Sequence, residues 1–136
     1  MYKHHTKTKG DLAIFKCLAD LSGRGFLVSL PMSEHAPFDL IAYKDQKFYR
    51  VQVKYRTKRN GALTVLFRTN WTDKHGTHRV PIDKNEIDRY CIYCPDTDLC
   101  YYFNPRLFDG SVTIRVDPSK NNQTANIKSA ELFLDF

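Results

Sequence analysis

The stretch Phe48-Tyr-Arg-Val-Gln-Val-Lys-Tyr55 constrains the fold more than any other part of this chain. Tyr49, Val51, Val53 and Tyr55 alternate with Arg50, Gln52 and Lys54. Strand side chains point alternately to opposite faces, so this segment has one apolar and one polar face. A strand of that kind needs a neighbour on each edge and a packed layer against its apolar side.

The flanking sequence supplies candidates for both. Residues 10–24 place Leu12, Phe15, Leu18, Ala19 and Leu21 near helical spacing, with Asp11 at the start and Gly23 and Gly25 as stop signals. Phe26 to Leu30 reads as a short apolar strand closed by Pro31, residues 32–36 as a loop, and Phe38 to Tyr43 as a second strand. Lys44-Asp-Gln46 turns the chain into the 48–55 strand. Asn60-Gly61 is a strong hairpin signal leading into Leu63 to Phe67. Residues 68–80 are polar without periodicity and read as a loop or arm. Asp83 with Glu86 has the form of a capping box for a short helix. Tyr90 to Cys94 and Leu99 to Phe103 read as a hairpin, and Val112 to Val116 as a further strand. Residues 118–123 read as a polar surface loop, and the tail from Ser129 to Phe136 is apolar enough to dock. The order predicts an α/β fold, a single domain over residues 1–136 with a central mixed β-sheet flanked by helices.

Length and charge narrow the partners. A chain of 136 residues suits one core, and 42% hydrophobic residues can fill it. No run is long and apolar enough to span a membrane, and no apolar signal segment follows the N-terminus, so a cytoplasmic location is expected. Residues 1–79 carry 15 Lys/Arg against 6 Asp/Glu, whereas residues 80–136 carry 6 against 9. A basic half is an electrostatic footprint for a polyanion. Cys91-Ile-Tyr-Cys94 has no second pair to complete a zinc site, and in a strand its two thiols point to opposite faces. All four cysteines therefore read as reduced structural residues.

The chemistry gathers at Pro37-Phe-Asp39 and Gln52-Val-Lys54. If the two strands pair as a hairpin, Asp39, Gln52 and Lys54 converge. A carboxylate and an amide oxygen suit Mg²⁺, a hard cation that takes oxygen ligands. Such an ion polarises a phosphate and activates water, and a neighbouring lysine can position that water or stabilise developing charge.

This arrangement resembles the PD-(D/E)XK nuclease superfamily, with Pro37-Phe-Asp39 as its first motif and Gln52-Val-Lys54 as its second. Lys9-Gly-Asp11 is similar to the acidic N-terminal helix of that superfamily. Together with Ala36-Pro-Phe-Asp-Leu-Ile41, Ile87-Asp88 and the Tyr93-Cys-Pro95 hairpin, it resembles more closely the group I intron-associated bacterial homing endonucleases, which have the restriction-enzyme fold. The resemblance implies a Mg²⁺-dependent endonuclease, with Mn²⁺ able to substitute, that cuts sequence-specific double-stranded DNA as a homo-oligomer, a dimer or tetramer. It implies catalytic roles for Asp39, Gln52, Lys54 and Asp11, and a metal held by Asp39, Gln52 and Val53. Two departures stand out. Gln52 replaces the usual acid, and Ile14 stands where many relatives carry a glutamate.

The cations Arg56, Lys58 and Arg59 beside the proposed centre, with Lys7 and Lys9 on a basic N-terminal arm, suit DNA phosphates. The 68–79 segment adds Arg68, Asn70, Lys74, His75 and Arg79, residue types able to reach base edges in a groove, while Trp71 is either a core anchor or a base contact. The alternatives are a junction resolvase or a restriction or phage nuclease on the same core, and a DNA-binding module with degraded nuclease chemistry.

Overall fold

The computed structural model describes residues 5–118 and 127–136. Lys3, His4 and most of the 118–123 loop lie outside that set. One α-helix, α1 (His5–Gly23), packs on a mixed five-stranded sheet in the order β1-β2-β3-β7-β8. Its strands are β1 (Leu27–Ser29), β2 (Leu40–Lys44), β3 (Lys47–Tyr55), β7 (Arg89–Cys94) and β8 (Leu99–Phe103). Only the β3–β7 pairing is parallel. Two small sheets lie outside it: β4 (Ala62–Leu66) with β9 (Ser111–Arg115), and β5 (Arg68–Asp73) with β6 (Gly76–Pro81).

The two faces of the sheet bury separate cores. Beneath α1, Ala13, Cys17 and Leu21 meet Leu40, Ala42, Val51, Val53, Cys91 and Tyr102. On the other face Tyr90, Ile92, Cys94, Tyr101 and Phe103 meet Leu63, Val65, Phe67, Val112 and Ile114. Cys91 and Cys94 enter different cores, as strand alternation requires, and all four cysteines are buried free thiols. The docked tail puts Phe136 against Phe26 and Tyr49, with ring centroids 4.6 and 5.0 Å apart.

Several local expectations change. The helix begins at His5, so Gly10 lies inside it, Lys7 and Lys9 belong to it, and Asp11 does not start it. Its buried stripe is Ala13, Cys17 and Leu21, whereas Leu12 and Phe15 are exposed. The small residues Ala13 and Cys17, at i and i+4, let the helix sit close on the sheet, with Leu21 at i+8 extending the stripe. Gly25, at φ 87°, ends the helix in the left-handed region, with Phe26 N–H bonded to the Leu21 carbonyl at 3.0 Å.

Asn60 and Gly61 do form a tight turn with positive φ, closing an Arg59–Ala62 bridge. The hairpin does not continue onto β3, because Arg56 N–H is taken by the Tyr93 carbonyl and Lys58 N–H by Asp96, so β4 pairs with β9 instead. Residues 68–81 are a β-ribbon rather than a loop. Asp83 makes a turn and no helix: its carboxylate accepts from Asn85 N–H at 2.9 Å, and Asp88 next binds Arg50. Among the described residues one α-helix therefore flanks the sheet. Among the described residues no helix is long and apolar enough to cross a membrane.

Candidate active site

The β2–β3 hairpin builds the site from a two-residue turn. Asp45 and Gln46 adopt φ of 52° and 64°, which matches the twist of the flanking strands and fixes the register Lys44↔Lys47 through Leu40↔Val51. Leu40 and Val51 face the helix, so the next position, Asp39, falls on the Gln52 side of β3. Asp39 stands one residue ahead of β2 and is tied to β3 twice. Its N–H donates to the Val51 carbonyl at 2.9 Å, and its Oδ2 accepts from Val53 N–H at 2.8 Å. Backbone N–H and C=O of one strand residue point to the same edge, so the Val53 carbonyl also points toward Asp39. One carboxylate oxygen, Oδ1, is left for a ligand.

Burial shapes the charges here. Asp39 and Lys54 are both half-buried. Desolvation raises the Asp39 carboxyl above the ordinary range, against the Val53 hydrogen bond and the Lys54 charge, which lower it. Desolvation lowers the Lys54 ammonium, with the Arg56 charge acting the same way and Asp39 opposing. Each group is therefore moved toward neutrality by the same low-dielectric cleft, a pattern found at functional sites.

That cleft encloses about 1040 Å³ between α1, β3 and β4. It brings together most of the expected residues: Lys7, Lys9, Asp11, Asp39, Gln52, Val53, Lys54, Arg56 and Arg59. Asp11 and Asp39 also share an adjoining hollow of about 290 Å³ with Glu34. Ile14 lines both spaces, so an apolar side chain occupies the helix position next to the two acids. Among the described residues no group of three or more His, Cys, Asp or Glu side chains is arranged to hold a metal ion.

Other expected residues lie elsewhere. Lys58 does not line the cleft; its Nζ pairs with Asp117 Oδ2 at 2.9 Å, which draws the side chain to β9. Arg68, Asn70, Lys74, His75 and Arg79 sit on the β5–β6 ribbon, which leaves the cleft wall directly after Leu66.

Tyr90 is a neighbour that sequence reading passed over. It pairs with Gln52 across the parallel β3–β7 ladder and so shares its face. Its ring packs edge-on against Phe67 at 5.1 Å. The hydroxyl is buried without a protein partner, and burial pushes it up to about 12, with Arg56 lowering it and Asp39 raising it further. A buried unpaired hydroxyl costs about 1–3 kcal/mol. Tyr90→Phe is therefore expected to raise unfolding free energy by about 1 kcal/mol, read from urea denaturation; a loss of that size would mean that the hydroxyl is satisfied.

Comparison with known proteins bears on this geometry. A family model described as PD-(D/E)XK endonuclease matches residues 4–136. The structure of a bacterial homing endonuclease, I-Ssp6803I, is similar at a TM-score of 0.74 and 20% sequence identity, covering 94% of this chain and 87% of its own. At that identity the likeness speaks for the fold. A Holliday junction resolvase, Hjc of the archaeal hyperthermophile Archaeoglobus fulgidus, gives a TM-score of 0.47 and 11% identity over 79% of this chain and 84% of its own. No curated protein matches the chain by sequence.

Proposed function

Because the chain belongs to the PD-(D/E)XK endonuclease family, we propose that it is a Mg²⁺-dependent, sequence-specific endonuclease of double-stranded DNA, of the intron-encoded homing type, built as one nuclease domain over residues 1–136. The observation that carries this reading is the Asp39 carboxylate, fixed to β3 by Val53 N–H and opposed by Gln52 and Lys54 in one basic cleft.

The donor chemistry fits the ion. Asp39 Oδ1, the Gln52 amide oxygen and the Val53 carbonyl are hard oxygen donors from residues that line one cleft, as Asp11 also does. When bound, the divalent ion polarises the scissile phosphate and makes water a better nucleophile. The remaining work falls to the protein. Lys54, held beside Asp39 with its pKa lowered, orients water and stabilises charge on the phosphate as it develops. Lys7, Lys9, Arg56 and Arg59 neutralise backbone phosphates and set register without reading sequence. Lys9, with its Nζ 5.6 Å from the centre of the Tyr55 ring, is pinned at the mouth.

One centre cuts one strand, so a double-strand break calls for a dimer or tetramer. Exposed Phe15 and Leu30, which line the hollow with Asp11, are side chains of the type that a subunit contact buries.

The test is conversion of supercoiled plasmid to nicked and linear forms with Mg²⁺, with Mn²⁺ and with EDTA. Product with either ion and none in EDTA supports the assignment. Tight, salt-sensitive binding with no product would instead indicate a DNA-binding module whose chemistry has been lost, the reading that Gln52 and Ile14 motivate.

Gln52→Glu supplies a further check. A second carboxylate adds ligand charge, so the Mg²⁺ concentration for half-maximal cleavage should fall. Two neighbouring carboxylates also raise each other's pKa, so the onset of cleavage should move to higher pH than in the wild type. A pH–rate profile at Mg²⁺ well below saturation shows the shift, and an unmoved profile there would separate residue 52 from Asp39.

A further inference from the structure

The β5–β6 ribbon has two chemically different faces, fixed by its register. Thr69 opposes Val80 and Trp71 opposes His78 on one face. The Trp71 and His78 rings stack at 5.0 Å, and Asp73 closes that face by accepting from His78 at 3.0 Å. Asn70 opposes Arg79 and Thr72 opposes Thr77 on the other, where the two threonine hydroxyls lie 3.2 Å apart. Every ribbon residue except Arg68 and His78 is exposed, so no core beneath the ribbon explains this division.

An isolated two-stranded ribbon is only marginally stable in water. Here the stacked Trp71/His78 pair stabilises the hairpin from one side and leaves the hydrogen-bonding side free. Six residues per strand span about 20 Å, and a major groove about 12 Å wide admits a two-stranded ribbon. Asn forms paired hydrogen bonds to adenine and Arg to guanine in that groove. The ribbon leaves the cleft wall two residues after Leu66, so DNA whose phosphates enter the cleft passes beside it.

Resting on the nuclease reading above, we propose that the ribbon enters the major groove with its Asn70/Arg79 face toward the bases, so that these two residues, and not Trp71, set base preference. Lys74 and His75 at the tip then meet the phosphates.

The test is enrichment of bound sequences from a random 20-base-pair duplex pool in EDTA, where no cutting interferes. The wild type should enrich a motif. Asn70→Ala should lose an adenine preference and Arg79→Ala a guanine preference, each on the order of tenfold. Arg79→Lys keeps the charge but loses the planar fork, so it should lose the same preference while total affinity holds. Trp71→Phe, which keeps a ring to stack on His78, should enrich the wild-type motif. Uniform weakening across all sequences in the Asn70 and Arg79 variants would reduce them to phosphate contacts and overturn the proposal, as would a changed motif in Trp71→Phe. Plasmid nicking with Mg²⁺ reports separately on the nuclease reading. A motif without nicking removes that reading and leaves the ribbon in place, whereas nicking without a motif does the reverse.

Discussion

Lys54→Ala is expected to slow Mg²⁺-dependent cleavage of duplex DNA by about 10²–10³-fold, the usual loss for one group that stabilises transition-state charge, while the protein still binds DNA. The side chain is half-buried between Asp39 and Arg56, and desolvation has already lowered its pKa. A charge held in that environment acts more strongly on a nearby phosphate than a solvated lysine does. Binding rests on the other cations of the cleft, so losing one phosphate contact should reduce the salt dependence by about one unit of slope rather than remove it. Filter binding across a salt series, beside single-turnover cleavage, separates the two effects. Equal cutting by wild type and Lys54→Ala would remove the residue from the chemistry.

Asp39→Asn is the second large effect, and it has two signs. Cleavage should fall at least as far as in Lys54→Ala, because the site loses its one fixed carboxylate oxygen, and the calorimetric heat of Mg²⁺ binding should fall with it. Stability should move the other way. Folding raises the Asp39 pKa, so its contribution to stability is fully present below the unfolded pKa and is lost as pH rises through the folded value. At pH 7 the ionised side chain is thus a net cost. Asparagine resembles the protonated form and can still accept from Val53 N–H. The variant should melt above the wild type at pH 7, and the difference should vanish as pH falls below the aspartate range. A lower Tm at pH 7 would mean that the carboxylate is satisfied in the fold. Functional sites commonly trade stability for activity in this way.

The geometry of the candidate site is legible in the sequence because it is local. Alternation along Phe48 to Tyr55 placed Gln52 and Lys54 on one face, and the Lys44-Asp-Gln46 turn brought Asp39 beside them. What failed was non-local or lacked an apolar signal. Tyr90 reaches the site only because β7 runs parallel to β3, and nothing in the spacing of residues 52 and 90 announces that pairing. The β5–β6 ribbon carries no strand signal in the sequence because both its faces meet solvent, and period-two patterning appears only where one face is buried. The buried helix face is hard to see in the sequence because Leu12 and Phe15 are larger and more apolar than Ala13 and Cys17, the small residues that face the sheet. Asp83 and Glu86 matched a capping box, but Asp83 closed a turn, and Asp88, bonded to Arg50 through both oxygens, drew the chain straight into β7.

If Asp39, Gln52 and Lys54 form the proposed divalent-metal centre, cutting of DNA requires both the ion and Lys54. The most direct measurement incubates a plasmid library carrying random sites with the wild type in Mg²⁺, beside wild type in EDTA and Lys54→Ala in Mg²⁺. Linear product is expected from the wild type with Mg²⁺ and intact plasmid in both controls. Plasmid bound but left whole by the wild type at every Mg²⁺ concentration, or cut equally by Lys54→Ala, would contradict it.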